Sequence, residues 1–225
     1  MLERQGDVFV FTMDWGENRF GPEGLRAWNE ALDAVDQAVA AGGPAALVTT
    51  GTGKFYSNGL DLDYLGTLGD GAGAYVGEVL AIYARVLVCP AITIAAMNGH
   101  AFGAGGQVAL AHDHRVMRAE RGFFCMPEID MRSPLHPGMT AILKARLPKQ
   151  TVHEVIATGR RYPGPEAAAK GIVDDAVPEA EVLPRSVAWA SELASKAHPV
   201  LSTLKGDLYP EVLDALKLPL GSVGG

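Results

Sequence analysis

A glycine-rich turn follows an apolar run in the stretch AITIAAMNGHAFGAGG, residues 91–106. A second turn of the same kind follows another apolar run in AALVTTGTGKFYSNGLDL, residues 45–62. Each pattern predicts a buried strand that leads into a turn and then a helix, which leaves backbone N–H groups free and pointing outward. Two such turns side by side could direct two N–H groups at one oxygen atom. The sequence therefore predicts an oxyanion hole, and with it an enzyme that stabilises an enolate or a similar anion.

The composition is that of an ordinary globular chain. Its 225 residues are 48% hydrophobic and 20% charged, so one sizeable core is expected. The formal net charge of −7, with no basic cluster, argues against a nucleic-acid partner. No apolar run approaches the roughly 20 residues that cross a bilayer, and no targeting signal is recognisable, so we expect no membrane partner and a cytoplasmic location. Cys89 and Cys125 are isolated and are expected to be buried thiols.

Strand-like and helix-like segments alternate along most of the chain, which predicts an α/β fold. The patterns predict strands at 7–13, 91–97, 115–117 and 171–177, and helices at 22–41, 76–86 and 105–112. Residues 66–73 are rich in glycine, and we expect either a mobile flap beside a ligand site or a plain surface linker. From about Met139 onward the chain is expected to be mainly helical.

Four short motifs follow one another along the chain. They are FYSNGLDL at residues 55–62, NGHAFGAGG at residues 98–106, FCMPE at residues 124–128 and AAAKGIVD at residues 167–174. In this order they resemble the crotonase (enoyl-CoA hydratase/isomerase) superfamily. The resemblance covers about residues 8–178 and implies a spiral of ββα units that binds an acyl-CoA thioester and polarises its carbonyl group.

The resemblance also implies a division of the chain and an assembly. Residues 1–178 would form the catalytic core. Residues 179–225 would be a shortened helical region that caps the core or mediates oligomerisation. Its apolar residues recur at helical spacing, at Val200, Leu201, Leu204, Leu208, Val212, Leu213 and Leu216. The family suggests a homotrimer or a dimer of trimers.

Three residues would act directly on the substrate, according to the same resemblance. Leu60 and Ala104 would supply the two oxyanion N–H groups, and Glu128 would be the catalytic carboxylate. Ala104 stands where glycine is more usual, which is acceptable if its φ angle is negative. Glu128 needs apolar surroundings that raise its pKa, and Phe123, Phe124, Met126 and Ile129 could supply them.

The type of reaction that the resemblance implies depends on the residue at a second sequence position. Family hydratases carry another glutamate where this chain has Gln107, and an amide cannot exchange a proton. A single carboxylate suits the removal of a proton from C2 of a 3-enoyl-CoA and its return at C4. This is the pattern of the family's Δ3-Δ2-enoyl-CoA isomerases, and the short members of that type look most similar to this chain. We therefore expect an isomerase that holds a dienolate between Leu60 and Ala104.

Six further residues are expected at the substrate: Ser57, Asn58, Gly59, Lys54, His100 and Gln107. The backbone of residues 57–59 would contact the adenine or the thioester arm of coenzyme A. Lys54 would meet a phosphate, with Arg19 and Arg26 as possible further cations, or would be an ordinary exposed lysine. His100 faces the acyl pocket or is a structural imidazole. Gln107 lines the pocket or lies behind it.

Other functions stay open at this point. Gln107 could position a water molecule in a hydratase. Alternatively, Glu128 or Asp130 could act in another CoA-thioester enzyme, a lyase or a hydrolase. A catalytically silent acyl-CoA binder is a third possibility. His112 and His114 could lie on one face of a strand and suggest a metal, but no third ligand is near in sequence. We therefore expect no metal and no cofactor besides the coenzyme A of the substrate.

Overall fold

The computed structural model describes residues 1–221, which form two sheets and surrounding helices. Strands β1–β9 are Leu2–Gln5, Val8–Met13, Ala46–Gly51, Phe55–Ser57, Ile92–Met97, His100–Phe102, His114–Arg118, Phe124–Cys125 and Asp175–Val177. Helices α1–α11 are Pro22–Ala40, Leu62–Thr67, Ala72–Leu87, Ala104–Ala111, Glu128–Met131, Pro137–Arg146, Lys149–Thr158, Gly164–Ala169, Glu179–Leu193, Pro199–Leu208 and Pro210–Leu216.

From β3 to β9, strands of the two sheets alternate along the sequence. The larger has the order β1-β2-β3-β5-β7-β9 and is parallel except for the β1–β2 pair. The smaller has the order β4-β6-β8 and is parallel. Strands β3, β5 and β7 of the large sheet are each followed along the chain by a strand of the small sheet and then by a helix. This repetition confirms the predicted spiral of ββα units.

Helices cover both faces of the large sheet, which explains why its inner strands are apolar throughout. On one face, Val48 and Ile94 pack in a cluster with Val182 and Ala190 of α9. On the other face a larger cluster includes residues of α1, α3 and α4. Helix α11 packs against α3 and α6. Helices from beyond residue 178 therefore complete the core, while an oligomerisation role for residues 179–225 stays a prediction.

Most predicted elements are confirmed, with small shifts at their ends. Helix α1 begins at Pro22, and α3 ends before Pro90. Cys89 and Cys125 are buried free thiols, as expected. No helix within residues 1–221 is long and apolar enough to cross a membrane.

Residues 66–73, for which the sequence predicts a mobile flap or a surface linker, form helical turns. Helix α2 continues to Thr67, a 3₁₀ turn spans Gly69–Gly71, and α3 begins at Ala72. Asp61 supports this arrangement because its side chain caps α2 by accepting a hydrogen bond from the Tyr64 N–H (3.1 Å). The predicted mobility of the segment stays a prediction.

Three other elements differ from the sequence pattern. Strand β1 was not predicted, because its four residues are all exposed at the sheet edge and show no apolar alternation. The last strand is shorter than expected, because Gly171 turns the chain with a φ of +70°. The C-terminal apolar stripe is split between α10 and α11: Val212 and Leu216 are buried, whereas Val200, Leu204 and Leu208 are mostly exposed.

Candidate active site

The first glycine turn leaves β4 and is fixed by hydrogen bonds to the chain before α1. The Ser57 hydroxyl donates to the Asn18 carbonyl (2.6 Å) and accepts from the Gly59 N–H (3.2 Å). The Asn58 side chain donates to the Glu17 carboxylate (2.7 Å). Gly59 has a φ of +86°, a conformation that favours glycine. Within residues 1–221, the N–H of Leu60 has no hydrogen-bond acceptor.

The second turn starts helix α4. Gly103 precedes the helix with a φ of +49°, and its N–H donates to the Cys125 carbonyl (3.0 Å). Ala104 is the first residue of the helix, so its N–H has no partner in the helix, nor elsewhere in the described residues. Its φ angle is negative, which confirms that an alanine is acceptable there.

The two turns lie against each other. A Cβ built on Gly59 would lie 2.8 Å from the Phe102 carbonyl oxygen and 3.2 Å from the Ala104 nitrogen. A Cβ built on Gly105 would overlap the Ser57 carbonyl oxygen. Both glycines are therefore required for the close approach of backbone to backbone. Gly59, the residue before Leu60, therefore lies next to Ala104, while an oxyanion hole made by the N–H groups of Leu60 and Ala104 stays a prediction.

Both turns line a cavity of about 430 Å³, and Glu128 lines it with them. Its walls are mostly apolar and include Leu60, Val76, Phe102, Ala104, Pro127, Leu135, Met139 and Leu220. Arg19 and Asn58 also line this cavity, and Arg19 borders a second, more polar depression that contains Trp15, Glu17 and Glu23. The cavity can hold an apolar group beside a carboxylate and two free N–H groups.

Glu128 begins the short helix α5, immediately after Pro127. Its carboxylate lies next to the second turn, since a Cβ built on Gly103 would be 3.5 Å from Oε1. Oε2 is buried and has no hydrogen-bond partner in the described residues. Burial raises the pKa of the Glu128 carboxyl and outweighs the opposite effect of its own backbone N–H. A raised pKa makes the carboxylate a better proton acceptor than an exposed glutamate.

The apolar surroundings of Glu128 differ from those expected. None of Phe123, Phe124, Met126 and Ile129 lines the cavity, and Ile129 is 53% exposed. Successive residues of a helix are rotated by about 100°, so the turn that directs Glu128 inward directs Ile129 away. The walls come chiefly from residues 58–65, 102–104 and 127–136, with one residue each from α3 and α6.

Gln107 is fully buried but does not line the cavity. Its Nε2 lies 3.5 Å from the Met126 sulfur, and its Oε1 has no partner in the described residues. The alternative in which Gln107 lies behind the pocket is therefore the observed one. The Gln107 amide is directed at Met126, the residue before Pro127, and not at the cavity.

His100 and Lys54 also lie outside the cavity lining. The His100 ring packs among aromatic rings, with centroid distances of 5.3 Å to Phe55, 4.9 Å to Phe102 and 5.5 Å to Phe123. Burial, and then the nearby positive charge of Lys54, lowers the His100 pKa. Lys54 is exposed, with Nζ 5.2 Å from the centre of the Phe55 ring. The interpretation of His100 as a structural imidazole fits this position better than contact with an acyl group.

Arg19 is the one of the three suggested cations that reaches the cavity. It also forms ion pairs with Glu17 (2.7 Å) and Asp63 (3.2 Å). Arg26 instead lies 3.9 Å from Glu30 on the exposed face of α1. The cavity residues from α6 and the C-terminal tail, such as His136 and Leu220, were not predicted, because no local motif marks them.

His112 and His114 do not share a strand face, contrary to the expectation. His112 ends α4 and is buried, with Nδ1 2.7 Å from the Val108 carbonyl oxygen and Nε2 3.0 Å from the Thr49 hydroxyl. His114 begins β7 and stacks on Trp189 at 4.0 Å. Within residues 1–221, no group of three or more His, Cys, Asp or Glu side chains is placed to hold a metal ion.

Comparison with known proteins extends the similarity over nearly the whole chain. Residues 3–218 match the family model described as Enoyl-CoA hydratase/isomerase. Enoyl-CoA delta isomerase 2, peroxisomal, of Arabidopsis thaliana is 34% identical over 229 residues, covering 96% of this chain and 95% of that protein. Enoyl-CoA delta isomerase 3 of the same plant is 34% identical and covers 94% of this chain and 92% of that protein. The solved apo structure of a Mycobacterium tuberculosis enoyl-CoA isomerase has a TM-score of 0.87 at 26% identity, covering 96% of this chain and 93% of that chain.

Proposed function

The chain belongs to the enoyl-CoA hydratase/isomerase family, and we propose that it converts 3-enoyl-CoA to trans-2-enoyl-CoA. The observation that carries the proposal is a single carboxylate, Glu128, which has a buried Oε2 and lines the same cavity as Leu60 and Ala104. The two plant relatives named enoyl-CoA delta isomerases support this reaction over others in the family.

The two N–H groups would hold the thioester oxygen. When a proton leaves C2, negative charge moves onto that oxygen and forms a dienolate. Donors that are already in place stabilise such a charge without reorganisation, and loss of one typically costs about 2.7–4 kcal/mol of transition-state stabilisation. Neither N–H group has a hydrogen-bond acceptor in the described residues, which suits this role.

Glu128 would take the proton from C2 and return the same proton to C4. The double bond moves from C3–C4 to C2–C3, and the carboxylate is restored, so atoms and charge balance in one cycle. A carboxyl group with a raised pKa is more readily protonated in the middle of the cycle than an exposed glutamate. The absence of a partner on Oε2 in the described residues leaves that oxygen available.

Hydration is less well supported by the positions of the other polar side chains. A hydratase would need a group that orients a water molecule, and Gln107 is turned toward Met126. Asp130 does not line the cavity either, since it is exposed and its carboxylate lies beside Gly159 at the end of α7. Glu128 is therefore the only acidic side chain on the described cavity wall.

The same arrangement suggests where the rest of the substrate would lie. The acyl chain would occupy the apolar walls, and the coenzyme A would run past Asn58 and Gly59 at the cavity wall. Ser57 is buried and already hydrogen-bonded, so it would contribute backbone only. Lys54, an exposed cation immediately before β4, would meet a phosphate of the coenzyme A.

We also infer a homotrimer or a dimer of trimers and a cytoplasmic location. The assembly would use the exposed part of residues 179–225. One relative is named peroxisomal, so imaging of the tagged full-length chain discriminates between the two compartments. Light scattering with size-exclusion chromatography tests the assembly.

Product analysis tests the proposed reaction. The purified protein is mixed separately with 3-hexenoyl-CoA and trans-2-hexenoyl-CoA, alongside Glu128→Gln and the matched control Asp130→Asn from the same short helix. The proposal predicts 2-enoyl product from the 3-enoyl substrate in the wild type and in Asp130→Asn, but not in Glu128→Gln. Abundant 3-hydroxyacyl-CoA from the 2-enoyl substrate would instead show a hydratase. No turnover of either substrate would indicate another thioester reaction or a silent binder.

A further inference from the structure

The far wall of the cavity contains a residue from the C-terminal tail. Helix α11 ends at Leu216, and the chain then turns back so that Leu220 lines the cavity together with Val76 and Met139. These residues are distant in sequence from both glycine turns. They form an apolar wall, and Glu128 and the two N–H groups belong to other parts of the cavity lining.

His136 holds the tail in this position. Its Nδ1 accepts a hydrogen bond from the Gly138 N–H (3.0 Å) at the start of α6, so the ring proton of the neutral form is on Nε2. Nε2 donates to the Leu218 carbonyl (3.0 Å). Gly138 packs directly on α11, since a Cβ built on it would lie 2.8 Å from the Leu216 Cα. The tail is thus attached to the wall of the cavity at two points.

A second apolar space lies on the other side of Leu220. It is a groove of about 620 Å³ between α3 and α11, and its lining includes Gly73, Gly77, Leu80, Ala81, Ala84, Leu213 and Leu216. Val76 and Leu220 line both the cavity and the groove. A Cβ built on Gly73 would lie 3.9 Å from the Leu220 Cβ, so the tail is in contact distance of α3. Leu220 therefore stands, with Val76, between the two spaces.

We propose that Leu220 sets the length of the acyl chain that this enzyme accepts. In the observed position its side chain lies between the cavity and the groove, which would favour short acyl chains. Removal of its side chain would join the cavity to the groove along α3, where the small residues leave room for further methylene groups. Leu220 is half exposed, so its removal costs little core packing. This inference rests on the proposed acyl-CoA function of the same cavity.

The test compares two chain lengths in three proteins: wild type, Leu220→Ala and the control Leu208→Ala. Leu208 is an exposed leucine of α10 that does not line the cavity. We measure kcat/KM for 3-hexenoyl-CoA and 3-dodecenoyl-CoA. Leu220→Ala should raise the dodecenoyl-to-hexenoyl ratio by about tenfold or more, as expected when a pocket gains contacts with several methylene groups. The control should leave the ratio unchanged. A ratio in Leu220→Ala equal to that of the wild type would overturn the inference.

Binding separates this inference from the proposed reaction. Calorimetry with the saturated hexanoyl-CoA and dodecanoyl-CoA gives the ratio of their Kd values without any turnover. If the wild type isomerises no substrate but Leu220→Ala still shifts the Kd ratio toward dodecanoyl-CoA, Leu220 limits chain length and the reaction assignment is wrong. If the wild type isomerises 3-hexenoyl-CoA and neither ratio shifts in Leu220→Ala, the reaction stands and the role of Leu220 is wrong.

Discussion

Helix α4 has buried polar groups at both of its ends, and the two ends differ in how these groups are partnered. At its beginning, the Ala104 N–H and the nearby Glu128 Oε2 have no hydrogen-bond partner in the described residues. At its end, the His112 ring bonds to the Val108 carbonyl and to Thr49, and Thr49 bonds to the Tyr56 hydroxyl (2.7 Å). One end is open to a cavity, and the other is a closed network.

The closed network has one consistent arrangement of protons. A carbonyl only accepts, so His112 carries its proton on Nδ1, its Nε2 accepts from Thr49, and Thr49 accepts from Tyr56. Burial lowers the His112 pKa to about 4 and raises the Tyr56 pKa, so both stay neutral. The comparison teaches that the closed end is built for stability, whereas the unpaired groups at the open end, which each cost stability, line the cavity in which we propose the reaction.

The largest effect is expected at the open end, from Glu128→Gln. Loss of the proton acceptor should lower kcat about 10²–10⁴-fold. The folded-state pKa of this group is raised, so its contribution to stability is present at low pH and is lost as pH rises through the folded pKa. At pH 7 the neutral amide should therefore leave Tm unchanged or higher. Initial rates and thermal denaturation check both parts, and a variant that is both active and less stable would contradict the assignment.

Gly59→Ala should have the next largest effect. The new Cβ would meet the Phe102 carbonyl oxygen at 2.8 Å and the Ala104 nitrogen at 3.2 Å, which forces apart the turns that carry both N–H groups. Displacement of one donor should lower kcat about 10²–10³-fold. Gly53→Ala is the matched control, because Gly53 also has a positive φ of +65° but no atom lies within 4 Å of its added Cβ. Equal losses in the two variants would argue against a role for the contact between the turns.

Thr49→Val removes the hydroxyl that joins Tyr56 and His112 at the closed end, and it should lower stability without lowering catalytic activity. The substitution leaves the Tyr56 hydroxyl and the His112 Nε2 buried without a partner. We expect the free energy of unfolding to fall by about 1–3 kcal/mol, with kcat/KM at low temperature changed by less than about threefold. Urea denaturation and steady-state kinetics check this. A large loss of activity in the folded variant would show that the two ends are coupled.

The smallest effect is a change in how stability depends on pH. The His112 pKa falls from 6.5 to about 4 on folding, so the unfolded chain binds the proton first as pH decreases. The stability contribution of neutral His112 is complete above pH 6.5 and is lost as pH falls toward 4. His112→Gln should remove up to about 1.4 kcal/mol per pH unit of the slope in that range. Urea denaturation at a series of pH values measures the slope, and identical slopes in both proteins would contradict a buried neutral His112.

The features that the sequence predicts well are those with a local cause. The apolar runs of β2 and β5, the helical spacing of α1 and the free N–H groups at both turns each depend on a few consecutive residues. The position of Glu128 next to the second turn could be predicted because its motif resembles that of a known family. The role of Glu128 in the chemistry remains a proposal.

The features that the sequence missed depend on contacts between distant segments. Gln107 turns toward Met126, 19 residues later, and the pattern of α4 alone does not indicate this orientation. Leu220 reaches the cavity because His136 binds the Leu218 carbonyl, 82 residues away. The glycines of residues 66–73 suggested a flap or a linker, but helical turns form there, and the Asp61 side chain caps α2. No local propensity encodes these outcomes.

The central claim is that one carboxylate moves the proton. The most direct test is to measure whether the hydrogen at C2 of the substrate is transferred to C4 of the product. The wild-type protein is mixed in ordinary water with 3-hexenoyl-CoA that carries deuterium at both C2 positions, and the product is examined by NMR at early conversion. Because the Glu128 Oε2 is buried, we predict that a substantial fraction of the 2-enoyl product carries deuterium at C4. A 2-enoyl product with only solvent hydrogen at C4 would contradict a single-carboxylate shuttle.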